Sequence, residues 1–441
     1  MSKISKLIFR PGQFFSDAIR KRIGLNNPTP LKPLERKGST ILKTSSMFNV
    51  TRLNLITAPR ILLHSGEKQP GEAHMRMWMR SFDEAGVSFA VLTRHPQLYD
   101  FVRKTWPHAS IALASNAPEV EKIINYLPHL KAVFYTSSTG NNIHLLRFNH
   151  LEHVFIGHGD SDKTSSAHKF FRAYDQVWTA GEAHIDRFRN ESVDFGHVQF
   201  LKVGRPALSR IVKSVDQADA KLRGEMRKRP TILYLPTWEG ILEEQNYSSL
   251  AISGELLKAA SGMGNRSAVL VKIHPMTGRR IAALKRSDSQ LLSLLKDDGV
   301  VGELIDRSEP LDQHLLRANV FICDTSAVIT ECLAVDAPIF VYRPQDENLR
   351  FTQSAMPPDH FAYVFSSIEE FVEKFELFMK EGDTLAQQRA EARQYLLGIE
   401  ETRANRFADE LRRVAGLAAH GEQTQYDTAR LAGGGMTREK Q

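Results

Sequence analysis

Gly157-His158-Gly159 places a histidine between two glycines, directly after the apolar run His153-Val154-Phe155-Ile156. Glycine on both sides lets the backbone turn sharply and leaves the imidazole uncovered. An uncovered histidine in a cleft is a natural general base near neutral pH. The same three residues would also form a turn whose histidine caps a helix. The next residues, Asp160-Ser161-Asp162, spell an acid pair of the kind that holds a metal-bound diphosphate. Capping of the following helix is the stronger reading here, and no metal is expected. His64 ends the first apolar run of the chain, where it could face the same cleft.

Four further clusters pair polar groups in the same way. Lys272-Ile273-His274-Pro275 closes the run 268–273. A cation and a histidine together suit a diphosphate leaving group, whose charge grows as the bond breaks; the alternative is a histidine packed beside a proline turn. Asp324-Thr325-Ser326-Ala327 stands between the run 319–323 and a helix. Hydroxyls and free N–H groups at a helix N-terminus form an anion site, but Asp-Thr-Ser is equally an ordinary cap. Glu331, one turn into that helix, could reach a ribose hydroxyl pair or complete the cap. Thr237 and Trp238, after the run 231–235, could line a nucleotide or acceptor pocket or pack between domains. Arg205, in Gly204-Arg205-Pro206, could bind phosphate or pair with a carboxylate.

Each cluster ends a short apolar run, and the runs alternate with amphipathic stretches. Strands are expected at 60–65, 87–94, 109–115, 132–137, 153–157, 176–181 and 198–204, with helices at 73–85, 97–106, 118–130 and 142–148. The pattern then restarts, with strands at 231–236, 268–274, 300–305, 319–324 and 338–343. Helices are expected at 250–261, 279–296, 311–317, 327–335, 367–379 and 384–415. Continuous apolar runs alternating with helices imply parallel sheets covered on both faces. The expected class is therefore α/β: two Rossmann-like doubly wound domains, 50–205 and 206–382, facing a cleft. That layout is called GT-B in nucleotide-dependent transferases. A C-terminal helix at 383–419 and a disordered tail at 420–441 would follow. Ligands of such sheets bind beyond the carboxyl ends of the strands, where all five clusters fall. No GxGxxG, P-loop or HExxH pattern occurs, which removes the main support for dehydrogenase, NTPase and zincin readings.

The chain has 441 residues, 42% hydrophobic and 25% charged, which fits two or three globular domains. No window approaches 18 consecutive apolar residues. Cys323 and Cys332 suit a reducing compartment, exclude a cysteine-based zinc cluster and read as small core residues. The net charge of +7 is concentrated: residues 1–43 hold ten Lys/Arg and two acids, and the other 398 residues sum to −1. With a neutral body, nucleic acid is not an expected partner. Residues 1–25 set apolar faces between cations, the pattern of a segment lying on an anionic membrane surface or of a helix packed on the protein's own body. They do not form a secretory signal. Residues 26–38 read as a linker.

Together the motifs resemble those of the CDP-glycerol glycerophosphotransferase family, enzymes of teichoic-acid and related capsule-polymer assembly. Six pieces carry the resemblance, in order: HVFIGHGDSDK (153–163), YDQVWTAG (174–181), VGRP (203–206), ILYLPTW (232–238), KIHP (272–275) and ANVFICDTSAV (318–328). The resemblance implies a GT-B fold and transfer of a glycerol phosphate, or ribitol phosphate, from a CDP-linked donor to a hydroxyl, releasing CMP. His158 then corresponds to the family's base toward the acceptor hydroxyl, and His274 to its histidine at the donor phosphates. Ser326 matches a phosphate-binding serine, and Glu331 an acidic position one turn on. Lys272, Thr237, Asp324, Thr325 and Arg205 are expected on the donor side. Gly157, Gly159, Asp160, Asp162 and His64 are expected on the acceptor side.

Ala327 stands where the family has a second serine, and Thr325 where it has an aromatic. The form GHGDSDK also departs from the common W-H-G-T-P form, which marks a divergent branch. The resemblance implies CDP-glycerol or CDP-ribitol as donor, a lipid-linked or polymer acceptor, and no cofactor. It further implies a peripheral position at the cytoplasmic face of the cell membrane, held by residues 1–25. Two rival readings stand beside it. One is a GT-B glycosyltransferase with a nucleotide-sugar donor, or a related epimerase. The other is a membrane-attached assembly subunit with a degenerate site.

Overall fold

The computed structural model describes residues 58–68, 70–159, 167–217, 230–243, 246–262, 267–297, 300–349 and 355–418. The membrane-surface reading of residues 1–25, the linker, Asp160, Asp162 and the tail lie outside the described residues.

The chain forms two parallel sheets with flanking helices, an α/β architecture of the GT-B type. The first sheet holds β1 (Ile61–Ser65), β2 (Phe89–Thr93), β3 (Ile111–Leu113), β4 (Ala132–Tyr135), β5 (Glu152–Phe155), β6 (Gln176–Thr179) and β7 (Gln199–Lys202). Their spatial order is β3-β2-β1-β4-β5-β6-β7. The second sheet holds β8 (Thr231–Leu235), β9 (Ala268–Val271), β10 (Gly302–Leu304), β11 (Val320–Asp324), β12 (Ile339–Tyr342) and β13 (Tyr363–Phe365). Its order is β10-β9-β8-β11-β12-β13.

The central strands are buried and largely apolar because helices cover both faces. Leu63 of β1 pairs with Val91 of β2 and Phe134 of β4, and all three are fully buried. Each sheet reverses its strand order once, between β1 and β4 and between β8 and β11. Such switch points open a crevice at the strand ends, so the polar clusters stand where ligands of this architecture bind.

Several elements differ from the sequence expectation. The helix expected at 142–148 is a 3-10 turn followed by the single turn Ile143–Leu146. Of the helix expected at 279–296, the first residues form a loop held by Glu239, Ala282–Arg286 is a 3-10 helix, and the α-helix is Ser287–Asp297. Strand β13 was not expected; three residues bounded by turns carry too little periodicity to stand out. The expected helix at 384–415 is broken by Gly398 and Asn405, both left-handed, into Ala386–Ala392, Ile399–Ala404 and Arg406–Val414, with a π-helical turn at Arg393–Leu397.

Those last helices cross back to the first sheet. Phe407 packs against Trp78, Phe82 and Trp178 at centroid distances of 5.3, 5.4 and 5.6 Å. The crossing also explains Gly204, which sits at φ +74 with the Thr402 backbone where a Cβ would be, 2.5 Å away. The neighbouring Arg205 amide donates to Thr402 Oγ1 at 2.8 Å, so the C-terminal segment anchors Arg205.

Candidate active site

The loop after β5 carries His158. Gly157 has φ +59 and Gly159 φ +137, conformations open to glycine at little cost. The turn they make leaves His158 with an exposed surface, although protein packs around its ring. Its Nδ1 lies 3.2 Å from the Thr136 carbonyl at the end of β4. A carbonyl can only accept, so that contact puts the neutral ring's proton on Nδ1 and makes Nε2 the basic nitrogen. Surrounding protein lowers the His158 pKa below 6.5; the Thr136 carbonyl opposes the shift and the charge of Arg205 adds to it. The ring is thus a neutral base at pH 7.

Two residues that sequence reasoning missed support this loop from the helix Pro70–Glu84. Trp78 Nε1 donates to the Gly157 carbonyl at 2.7 Å. His74, one turn earlier, lies flat on the His158 ring with centroids 4.0 Å apart and planes 14° apart. Both are buried. The available signal was an i, i+4 pair of polar-tipped aromatics on an amphipathic helix, which reads as core in isolation.

The same loop meets the second sheet. A Cβ on Gly159 would stand 3.5 Å from the Arg205 guanidinium nitrogens and 3.7 Å from the Ala327 Cβ. Arg205 in turn lies 3.9 Å from Glu331. Burial raises the Glu331 pKa, and the Arg205 charge offsets part of that. His158, Gly159, Arg205, Ala327 and Glu331 therefore form one connected group across the cleft.

On the second sheet, His274 follows β9. The Met276 amide donates to His274 Nδ1 at 3.1 Å. Nδ1 is then an acceptor, and the neutral ring carries its proton on Nε2. The two histidines hold opposite tautomers: His158 offers a basic Nε2, His274 an N–H donor. Trp238 lies nearly parallel to His274 at 6.2 Å.

The remaining residues serve mainly to hold loops. Asp324 Oδ2 accepts from the amides of Thr237 at 2.6 Å and Ser249 at 3.1 Å, tying the end of β11 to the loop after β8. Thr325 Oγ1 donates to the Tyr342 carbonyl at 3.3 Å. Ser326 is half-buried in front of the short helix Val328–Leu333. Lys272 was expected at donor phosphates; its ammonium instead donates to the carbonyls of Asp306 at 3.1 Å and Arg307 at 3.3 Å. Burial lowers its pKa, partly offset by Glu309 and Asp306.

His64 does not reach the cleft surface. It is 1% exposed, with Nδ1 3.2 Å from the Leu92 carbonyl. Burial and the neighbouring Arg94 lower its pKa to about 3. As placed, it is a neutral core residue.

Glu239, overlooked as a site residue, is fully buried and accepts from the amides of Arg280 at 2.7 Å, Gly278 at 3.0 Å and Ile281 at 3.0 Å. Burial alone would raise its pKa, but these amides hold it below the usual carboxylate value. It fixes the loop that follows His274. Its signal was a lone acid at a strand end.

Residues 153–407 match the family described as CDP-Glycerol:Poly(glycerophosphate) glycerophosphotransferase. The chain belongs to that family. It is accordingly a transferase of the glycerophosphotransferase type. No curated protein matches the sequence. Among solved structures, the wall teichoic acid polymerase TagF is similar at a TM-score of 0.53 and 12% identity, covering 81% of this chain and 90% of that one. A putative UDP-N-acetylglucosamine 2-epimerase from Listeria monocytogenes follows at 0.52 and 12%, covering 80% and 96%. A glycosyltransferase from Rickettsia africae reaches 0.50 and 11%, covering 80% and 97%. At such identities the likeness is one of fold, and that fold serves several chemistries.

Proposed function

We propose that the protein transfers glycerol phosphate from CDP-glycerol to a hydroxyl of a lipid-linked or polymer acceptor in teichoic-acid-like or capsule polymer synthesis. His158 Nε2 takes the proton of the acceptor hydroxyl. That oxygen attacks the phosphorus nearer the glycerol, the bond from this phosphorus to the bridging oxygen breaks, and CMP leaves with the electron pair. His274 donates its Nε2 proton in a hydrogen bond to a donor phosphate oxygen, while Ser326 and Arg205 face the same phosphates. Phosphoryl transfer of this kind needs little beyond alignment and charge stabilisation, so no cofactor enters.

The observation that carries this reading is the pair of opposite tautomers. One histidine is set up to accept a proton and the other to donate a hydrogen bond, in a chain of the glycerophosphotransferase family. One solved TagF variant was soaked with CDPG, which supports the same donor here. Asp160 and Asp162 flank the acceptor side of the His158 loop in sequence, and residues 1–25 would hold the enzyme at the cytoplasmic face of the membrane, near a lipid-linked acceptor.

A donor screen tests the reading. Purified protein is given CDP-glycerol, CDP-ribitol, a UDP-sugar and a GDP-sugar in turn, with detergent-solubilised membrane lipids as acceptor. CMP release from CDP-glycerol supports it. CMP from CDP-ribitol alone changes the polyol. UDP or GDP release moves the protein to the nucleotide-sugar class.

A further inference from the structure

One helix supplies two contacts to the His158 loop, and the second has no role in the chemistry above. Trp78 fixes the Gly157 carbonyl at 2.7 Å. His74 covers one face of the His158 ring, centroids 4.0 Å apart. His74 is only 6% exposed, and its Nδ1 is buried with no hydrogen-bond partner among the described residues.

We propose that His74 is a positioning residue for His158: its flat face fixes the rotation of the imidazole, keeping Nδ1 on the Thr136 carbonyl and Nε2 turned away from the strand end. The inference rests on His158 being the base of the transfer.

The physical need is plain. His158 sits between two glycines, so neither neighbour has a side chain to restrict it. A ring on two rotatable bonds, held by one contact of 3.2 Å, would sample other orientations. A second ring stacked on its face removes most of that freedom, and aligning the base before reaction is where much of the rate of such transfers comes from.

His74 is also suited to this by its charge state. Burial, and then the neighbouring His158, push its pKa well below 6.5. It stays neutral while His158 takes up the acceptor's proton, so it neither competes for that proton nor repels the imidazolium. Among the described residues, the charged groups that face the His158 loop are Arg205 and its partner Glu331.

Two replacements separate stacking from space-filling. His74→Phe keeps a flat aromatic face; His74→Leu fills much of the volume without one. The full-length protein is labelled with 15N-histidine, and the His158 ring signals are assigned by their loss in His158→Asn. Ring 15N shifts report which nitrogen carries the proton. In the wild type and His74→Phe they should show a single tautomer protonated on Nδ1, and in His74→Leu a mixture. With CDP-glycerol, kcat should fall tenfold or more in His74→Leu with KM for donor within twofold, whereas His74→Phe keeps at least a third of it. A Leu variant with the wild-type tautomer, or with wild-type kcat, overturns the proposal. If the wild-type protein releases no CMP, the transfer reading fails by itself, and the tautomer measurement still decides the role of His74.

Discussion

The indole nitrogen of Trp78 donates to the carbonyl of Gly157 at 2.7 Å, so a helix at the start of the first sheet holds the backbone that presents His158. Trp78→Phe keeps an aromatic ring and removes the donor, with the loss of part of the packed indole added to its cost. Leaving a buried carbonyl unpaired costs about 1–3 kcal/mol. Thermal unfolding should show a loss of at least that size, and CMP release should fall about tenfold as the loop loosens. Unchanged stability and rate would mean that the bond does not matter.

Gly159 is predicted to tolerate no side chain. At φ +137 an alanine is strained by about 1–3 kcal/mol. Its Cβ would also touch Arg205 and Ala327. Gly159→Ala should therefore displace the loop and lower transfer at least tenfold. Wild-type kinetics in this variant would show that the loop geometry is not used.

Glu239→Gln tests the support of the donor side. The carboxylate accepts three backbone amides from the loop after His274. Hydrogen bonds to a charged group contribute about 1.5–3 kcal/mol each, and the amide side chain keeps only part of that. The expected result is a several-fold rise in KM for donor with a smaller change in kcat. An effect on kcat alone would place Glu239 elsewhere in the mechanism.

His64 gives the fold a pH dependence. Its pKa is about 3 in the folded protein, against an ordinary histidine value of 6.5 in the unfolded chain. Between those values the unfolded chain binds a proton that the folded protein excludes. Stability contributed by the neutral ring is therefore complete above pH 6.5 and falls as pH drops toward 3, by about 1.4 kcal/mol per pH unit. Denaturant unfolding from pH 7 to pH 4 should show a shallower decline in His64→Gln than in the wild type. Parallel curves would contradict the assignment.

Burial and sequence distance decide which features the chain made legible. Strands such as 231–235 were legible because a run buried on both faces is apolar along most of its length. The strand-end positions of His158, His274 and Asp324 followed from that. Contacts made by residues distant in sequence were not legible. His74 and Trp78 look like core residues until the fold brings residues 74 and 158 together. Lys272 and Asp324 look like ligand groups until the carbonyls of residues 306 and 307 and the amides of residues 237 and 249 are found beside them. His64 lies inside β1, where its neighbours across the sheet are Leu92 and Tyr135, whereas His158 stands three residues beyond the end of β5. The breaks at Gly398 and Asn405 fall on the two residue types that most readily take a left-handed conformation, a local signal outweighed by the helical periodicity around it.

The most direct test compares CMP release from CDP-glycerol by the wild-type protein and by His158→Ala, with membrane lipids as acceptor. Loss of a positioned general base typically lowers the rate about 10²–10⁴-fold. The account predicts release by the wild type and a loss in that range for the variant, with donor binding by calorimetry unchanged. Equal rates in the two proteins would contradict it.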